Sequence, residues 1–190
     1  MKRGNFYVNV KRKKDDWMQI AVYLGSARGN DPAFAKAAYE LGAWIAERGH
    51  TLVFGGSDRG TMGDLARGAL EHGGKVIGVI PQFMIDKHWE MEGLTETIVV
   101  NTMAERREKM IELADAFVTL PGGMGTLDEI SEVLSGIRLG LIHGAVCFLN
   151  INGYYDALRD AFLQMQKAGF ITEQEFGAIQ FVTRVRDLLL

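Results

Sequence analysis

From Ile20 onward, short and nearly continuous apolar runs alternate with longer stretches of helical period, and this alternation limits the available folds more than any other feature. The runs are residues 20–24, 51–54, 76–80, 98–100, 117–120 and 146–149. Apolar runs of that length, without polar alternation, read as strands buried on both faces. Between them, residues 34–47, 62–71, 103–114, 127–139 and 155–167 repeat apolar side chains at the 3.6-residue spacing of helices. Strands joined one after another by crossover helices predict an α/β fold, a doubly wound parallel sheet with helices on both faces. Residues 179–182 read as an added edge strand, and 184–190 as a terminal helix. Residues 1–17 show no period, and their basic run Lys11-Arg12-Lys13-Lys14 is followed at once by Asp15-Asp16. They are expected to be a solvated tail, with 18–190 as a single domain.

A chain of 190 residues that is 47% hydrophobic can bury a full core without disulfide or structural metal. The single cysteine, Cys147, excludes a disulfide framework and a cysteine-based zinc cluster; inside an apolar run it reads as a small buried hydrophobe. His50, His72, His88 and His143 have no metal-ligand spacing and read as surface or loop residues, so no metal is expected. A net charge of −3 provides no electrostatic footprint for nucleic acid. No apolar run has the length of a membrane span, and the amino terminus lacks the apolar stretch of a signal peptide. The expected compartment is the cytoplasm.

Three of the strands run into glycine turns: Gly25-Ser26-Ala27-Arg28-Gly29, then Gly55-Gly56 through Met62-Gly63, then Pro121-Gly122-Gly123-Met124-Gly125-Thr126. In a parallel sheet such turns gather at the carboxyl edge of the strands, where open α/β folds bind ligands. Glycine allows close backbone approach, and the N–H groups of a starting helix favour an anion such as phosphate. The second and third turns place an acid three residues after a threonine, Thr61 with Asp64 and Thr126 with Glu129, which is capping-box spacing. Capping is the ordinary reading for the first pair; the density of glycine in the third turn favours ligand binding there. Neither turn is a Walker A sequence, and neither keeps the Gly-x-Gly-x-x-Gly spacing. Ser26 and Ser57 lie in such turns but in no nucleophile elbow, which leaves them as phosphate or sugar contacts.

On a helix over 103–114, Arg106 and Arg107 fall on the apolar side with Met103, Met110 and Ile111. Guanidinium groups in that position either snorkel or meet an anion. On the helix after Thr126, Glu129 borders the side formed by Ile130, Val133, Leu134 and Ile137, whereas Asp128 points away. Two inward arginines, an inward carboxylate and a glycine-lined anion site make Glu129 the candidate for chemistry.

The segment from Pro121 to Glu129 resembles the Pro-Gly-Gly-x-Gly-Thr-x-x-Glu signature of the LOG ("lonely guy") family of cytokinin riboside 5′-monophosphate phosphoribohydrolases. The resemblance runs over residues 20–171 and includes Gly25-Ser26, Gly55-Gly56, Gly78-Val79-Ile80-Pro81, Met103 through Arg106-Arg107 to Met110, and Asn150-x-x-Gly153-Tyr154-Tyr155. It implies a Rossmann-like homodimer that hydrolyses the N-glycosidic bond of a nucleoside 5′-monophosphate, AMP or an N6-modified AMP, without a cofactor. It also implies Arg106 and Glu129 as catalytic residues, and Gly122, Gly123, Gly125 and Thr126 as phosphate-binding ones. Gly25, Ser26, Gly55, Gly56 and Arg107 join the substrate-binding set, with His88 and Met103 on the base side of the pocket. Sequences of this kind have also been labelled lysine decarboxylases, but nothing here marks a Schiff-base lysine. The chain departs from the family pattern at His88 and Met91, where a Glu and a His are usual, and at Ser135-Gly136-Ile137-Arg138 and Gly144-Ala145. The altered loop motivates an alternative, a non-catalytic carrier of nucleotides or molybdenum cofactor; a structural homodimer with a vestigial site is a third reading.

Overall fold

The computed structural model describes residues 17–190. The tail expected over residues 1–17 lies outside the described residues, Trp17 excepted, whose indole N–H donates to Thr51 Oγ1 at 3.2 Å. The elements follow in the order β1 (Gln19–Tyr23), α1 (Pro32–Glu47), β2 (Thr51–Phe54), α2 (Gly60–Glu71), β3 (Lys75–Pro81), the single turn α3 (Gln82–Ile85) and β4 (Glu96–Val100). They continue with α4 (Met103–Leu113), β5 (Ala116–Thr119), α5 (Met124–Arg138), β6 (Ala145–Leu149), α6 (Asp156–Lys167), α7 (Glu173–Gly177) and β7 (Ile179–Val182). Among the described residues seven strands form one sheet in the order β4-β3-β2-β1-β5-β6-β7, with every pairing parallel. The predicted doubly wound, Rossmann-like fold is the observed one. The chain winds outward from β1 to β4 and then returns to lay β5 against the other side of β1, which puts the topological switch point between those two strands.

Strand pleating divides the apolar side chains between two faces. Ile20 and Val22 join Leu52, Phe54, Leu41, Ile45 and Leu65 beneath α1 and α2. Ala21 and Tyr23 join Phe117, Phe148, Met110, Ile130 and Val133 beneath α4 and α5. Helix α1 starts where the sequence Asp31-Pro32 supplies a cap and a preset φ: the Asp31 carboxylate accepts from Ala33 N at 2.8 Å. Cys147 is fully buried.

Three expectations need correction. The run 98–100 is an edge strand, and Val99 is 48% exposed, because among the described residues no strand lies beyond β4 and none covers Val99. Residues 184–190 hold only a 3₁₀ turn, Val185–Asp187, since the tail lies along the α1 side of the sheet through Val185 and Leu188. His50 is buried at the entry to β2 beside Trp44, not on the surface. Among the described residues, no helix is long and apolar enough to cross a membrane.

Candidate active site

The three glycine turns meet at the carboxyl edge of the central strands. The first and third flank the switch point, where the backbones of Gly25 and Gly122 pack so closely that a Cβ on Gly122 would lie 2.9 Å from Gly25 N. The second turn joins them through Gly60, at φ +58°, whose backbone lies against that of Ser26. Thr61 Oγ1 adds a 3.0 Å hydrogen bond to the Gly25 carbonyl.

The capping box expected at Thr61 and Asp64 does not form, and Thr126 and Glu129 form none either. Helix α2 is capped by Arg59 and α5 by Gly123, with no side-chain cap at either. Thr61 and Thr126 therefore sit inside the first turn, where a hydroxyl points sideways; Thr61 ties two loops together, and Asp64 accepts from Arg28 and Arg67 at 2.8 and 2.7 Å. The capping box that does exist, Thr172 with Glu175, starts the short α7, and its Thr-x-x-Glu spacing was legible.

At the start of α5, the first intrahelical bond runs from Leu127 N to the Gly123 carbonyl at 3.2 Å, leaving the N–H groups of the preceding residues unpaired within the helix. Gly123 and Gly125 are exposed, and a Cβ on either would meet nothing within 4 Å. Open space, free N–H groups and the positive end of a helix dipole make this terminus receptive to an anion.

One turn further into α5, Glu129 faces Arg106 of α4. Both are buried, 7% and 5% exposed. Arg106 donates from Nη1 to Glu129 Oε1 at 2.9 Å, from Nε to the Val79 carbonyl at 3.0 Å, and from Nη2 to the Gly55 carbonyl at 3.1 Å. Three of the five guanidinium N–H donors are thus held by β3, the end of β2 and α5, and two have no partner among the described residues and can serve a ligand. Gly55 is required here: a Cβ at that position would overlap Arg106 Nη2. Burial pushes the Glu129 carboxyl up to about 7; the attraction of Arg106 opposes this without cancelling it.

Arg107 departs from the expected inward clamp. It is half-buried and turns along the helix surface to Glu132 at 2.6 Å and Asp128 at 3.1 Å. Adjacent helical residues lie about 100° apart, so two neighbours cannot both face the sheet.

Of the remaining residues singled out from the sequence, Gly56 takes φ +73° and its carbonyl accepts from Met91 N at 2.8 Å. That bond and Asp58 N to the Trp89 carbonyl, 3.1 Å, dock the loop 86–91 on the second glycine turn. Arg59 of the second glycine turn and Lys87 of this loop lie over the Trp89 ring at 4.6 and 4.9 Å. His88 is exposed at φ 55°, and its ring makes no hydrogen bond among the described residues. Ser26 is exposed, Ser57 is buried, and Met103 heads α4 half-buried. The Tyr154 hydroxyl donates to the Gly122 carbonyl at 2.6 Å, and that of Tyr155 to the Leu120 carbonyl at 2.6 Å. The two tyrosines pin the third glycine turn from the β6 side, a link between distant segments that spacing does not carry.

Among the described residues, no three His, Cys, Asp or Glu side chains are placed to hold a metal. The described lysines, Lys36, Lys75, Lys87, Lys109 and Lys167, are all exposed or half-buried, and none bonds to Arg106, Glu129 or a glycine turn. The site therefore does not fit a Schiff base with pyridoxal phosphate.

A family model described as possible lysine decarboxylase matches residues 62–190. The cytokinin riboside 5′-monophosphate phosphoribohydrolase LOG of Oryza sativa subsp. japonica is 37% identical over 178 residues, 94% of this chain and 74% of that protein. A cytokinin riboside 5′-monophosphate phosphoribohydrolase of Arabidopsis thaliana is 38% identical over 181 residues, 95% of this chain and 83% of that protein. Among solved structures, the molybdenum cofactor binding protein of Rippkaea orientalis superposes with a TM-score of 0.69 at 22% identity, covering 90% of this chain and 92% of that one. The Moco carrier protein of Chlamydomonas reinhardtii gives the same values, and likeness at this identity speaks for the fold alone. By the extent of these sequence matches, the chain belongs to the LOG family, the family of the cytokinin riboside 5′-monophosphate phosphoribohydrolases.

Proposed function

We propose that the protein hydrolyses the N-glycosidic bond of a nucleoside 5′-monophosphate, AMP or an N6-modified AMP, to free base and ribose 5-phosphate. The observation that carries this reading is a buried carboxylate, Glu129, one helical turn beyond an open, glycine-lined helix terminus. From Gly125 to Glu129 the helix rises about 6 Å, the scale of the ribose between a 5′-phosphate and its glycosidic bond. The phosphate binds at Gly122, Gly123, Gly125 and Thr126, with Gly25 and Ser26 across the switch point. Phosphate binding energy then holds the anomeric carbon beside Glu129.

As the C–N bond breaks, its electron pair leaves with the base and positive charge develops on the sugar. The Glu129 carboxylate stabilises that charge and takes a proton from the water that attacks the same carbon. The departing base takes up one proton from solvent, and Glu129 afterwards returns to solvent the proton it took from water, so none is gained or lost overall. Arg106 orients Glu129 through Nη1 and offers its two remaining N–H groups to the substrate. Gly55 and Gly56 shape the wall behind it, Arg107 stands at the rim with its charge met by Glu132 and Asp128, and His88 and Met103 line the base side.

The test is chromatographic detection of free base and ribose 5-phosphate from AMP, GMP, CMP, UMP and isopentenyladenosine monophosphate. Release by the native protein, lost in Glu129→Gln and Arg106→Lys, is the expected outcome. Tight nucleotide binding with no release from any of them would reject hydrolysis in favour of a carrier. The protein is further proposed to act in the cytoplasm as a homodimer, and exposed Leu139, Leu141 and Phe170 supply apolar surface for a second copy. Sedimentation equilibrium at twice the chain mass is expected; the mass of one chain at micromolar concentration would dismiss the dimer.

A further inference from the structure

Two buried hydroxyls beneath the candidate site have no role in the chemistry above. Tyr23 ends β1 and Thr119 ends β5; the two are partners in register across the switch point, so their side chains point to the same face of the sheet. That face carries α4 and α5, the helices of Arg106 and Glu129. Tyr23 is 1% exposed and Thr119 0%, and neither hydroxyl has a hydrogen-bond partner among the described residues. The other described tyrosines all have one: Tyr39 donates to Glu71, Tyr154 to the Gly122 carbonyl and Tyr155 to that of Leu120.

A buried hydroxyl without an acceptor is costly. The Tyr23 ring cannot readily turn away, because it is stacked on Phe117 with centroids 6.4 Å apart and planes 8° from parallel. Burial raises the phenol's pKa, as does the negative charge of Glu129, so the hydroxyl keeps its proton. Among the neighbouring charges, Glu129 acts on the phenol ahead of Glu132 and Arg106. Glu129 Oε1 is taken by Arg106 Nη1, whereas Oε2 accepts from no described residue.

We propose that Tyr23 is a positioning residue for Glu129, its buried phenol donating toward Oε2 through one bound water, while Arg106 holds Oε1. Thr119 stands beside it as the second hydroxyl of the same polar floor. A carboxylate held at both oxygens presents a fixed plane to the ribose. The inference rests on the hydrolase reading for its purpose, but not for its geometry. Other charged groups act on Glu129, Arg106 and Arg107 from α4 and Asp128 from α5, while Glu132 of α5 acts on the phenol. Gly55 and Val79 add only carbonyls, both bonded to Arg106. None of these changes when the phenol is removed.

The experiment compares the native protein with Tyr23→Phe, Thr119→Val and Thr119→Ser by two readouts. One is the pH profile of base release. The other is titration of the Glu129 carboxyl by carbon-13 NMR in the ligand-free protein, assigned with Glu129→Gln, which needs no turnover. Loss of a donor to the ionised carboxylate favours the protonated form. In Tyr23→Phe both the NMR midpoint and the acid limb should therefore rise by about one pH unit. kcat at neutral pH should fall several-fold with KM little changed, since the phenol does not touch substrate. Thr119→Val should shift the midpoint in the same direction by less, and Thr119→Ser should restore it. Phenylalanine keeps the ring that packs on Phe117, so Tyr23→Phe should fold. An unmoved NMR midpoint in Tyr23→Phe overturns the proposal, whatever its stability. A shifted midpoint in a protein that releases no base would support the positioning contact and reject the hydrolase reading alone.

Discussion

Arg106 and Glu129 form a pair in which each would be costly without the other, because both are withdrawn from water. Arg106→Ala and Glu129→Ala should each destabilise the protein by about 3 kcal/mol in urea unfolding, through the uncompensated charge left behind. The double variant should lose less than the sum, as residues in one buried network do. Glu129→Gln, which still accepts from Arg106, should fold near native stability yet lose turnover by about 10²-fold or more. The inward carboxylate was legible from helical phase. Of the two adjacent arginines, phase alone selected neither; that Arg106 turns to the sheet and Arg107 to Glu132 depends on carbonyls of β2 and β3 that close only on folding. The electrostatic influence of Glu129 on Tyr23 was equally hidden, because strand β1 and helix α5 lie about a hundred residues apart in the chain.

Helix α5 shows how an element's terminus can serve a ligand in place of its own cap. Thr126 and Glu129 have capping-box spacing, but α5 begins two residues before Thr126, so the side chains that would cap it fall inside the site. The helix start keeps its N–H groups free. Gly125 has open space around its missing Cβ, so Gly125→Ala should leave the thermal unfolding midpoint within a few degrees of native, alanine being the better helix former. The same change should lower AMP affinity by about tenfold in isothermal titration, because the methyl stands where an anion approaches the backbone. Gly55→Ala, whose Cβ would overlap the guanidinium, should lose both stability and turnover. Strand β4 illustrates the opposite limit: its apolar run reads like the inner strands, and only its place at the sheet edge leaves Val99 uncovered.

For the molecule as a whole, the raised pKa of Glu129 sets a pH dependence of stability. Its ordinary value is 4.5 and its folded value about 7, so between these limits the folded state binds more protons than the unfolded state. The contribution is present in full below about 4.5 and is lost as pH rises through 7, a cost of about 3 kcal/mol by pH 8. Urea unfolding of the native protein and Glu129→Gln at pH 5 and pH 8 should show this loss in the first and not in the second. Buried His50, whose pKa is lowered by burial and by Arg48, acts in the opposite sense below its ordinary 6.5 and is common to both proteins. Catalysis runs against stability over this range, because the proposed reaction needs Glu129 ionised and its acid limb should fall near pH 7. From the sequence by itself came the strand and helix alternation, the parallel sheet, the glycine turns at its carboxyl edge and the inward Glu129, all set by local periodicity and local backbone freedom. Only the tertiary structure decided which arginine meets Glu129, that Gly55 and Val79 hold it, that Tyr154 and Tyr155 pin the third turn, and that two hydroxyls lie beneath the site. Those contacts join segments brought together by sheet order, and the energy that selects them exists only once the strands have paired and excluded water.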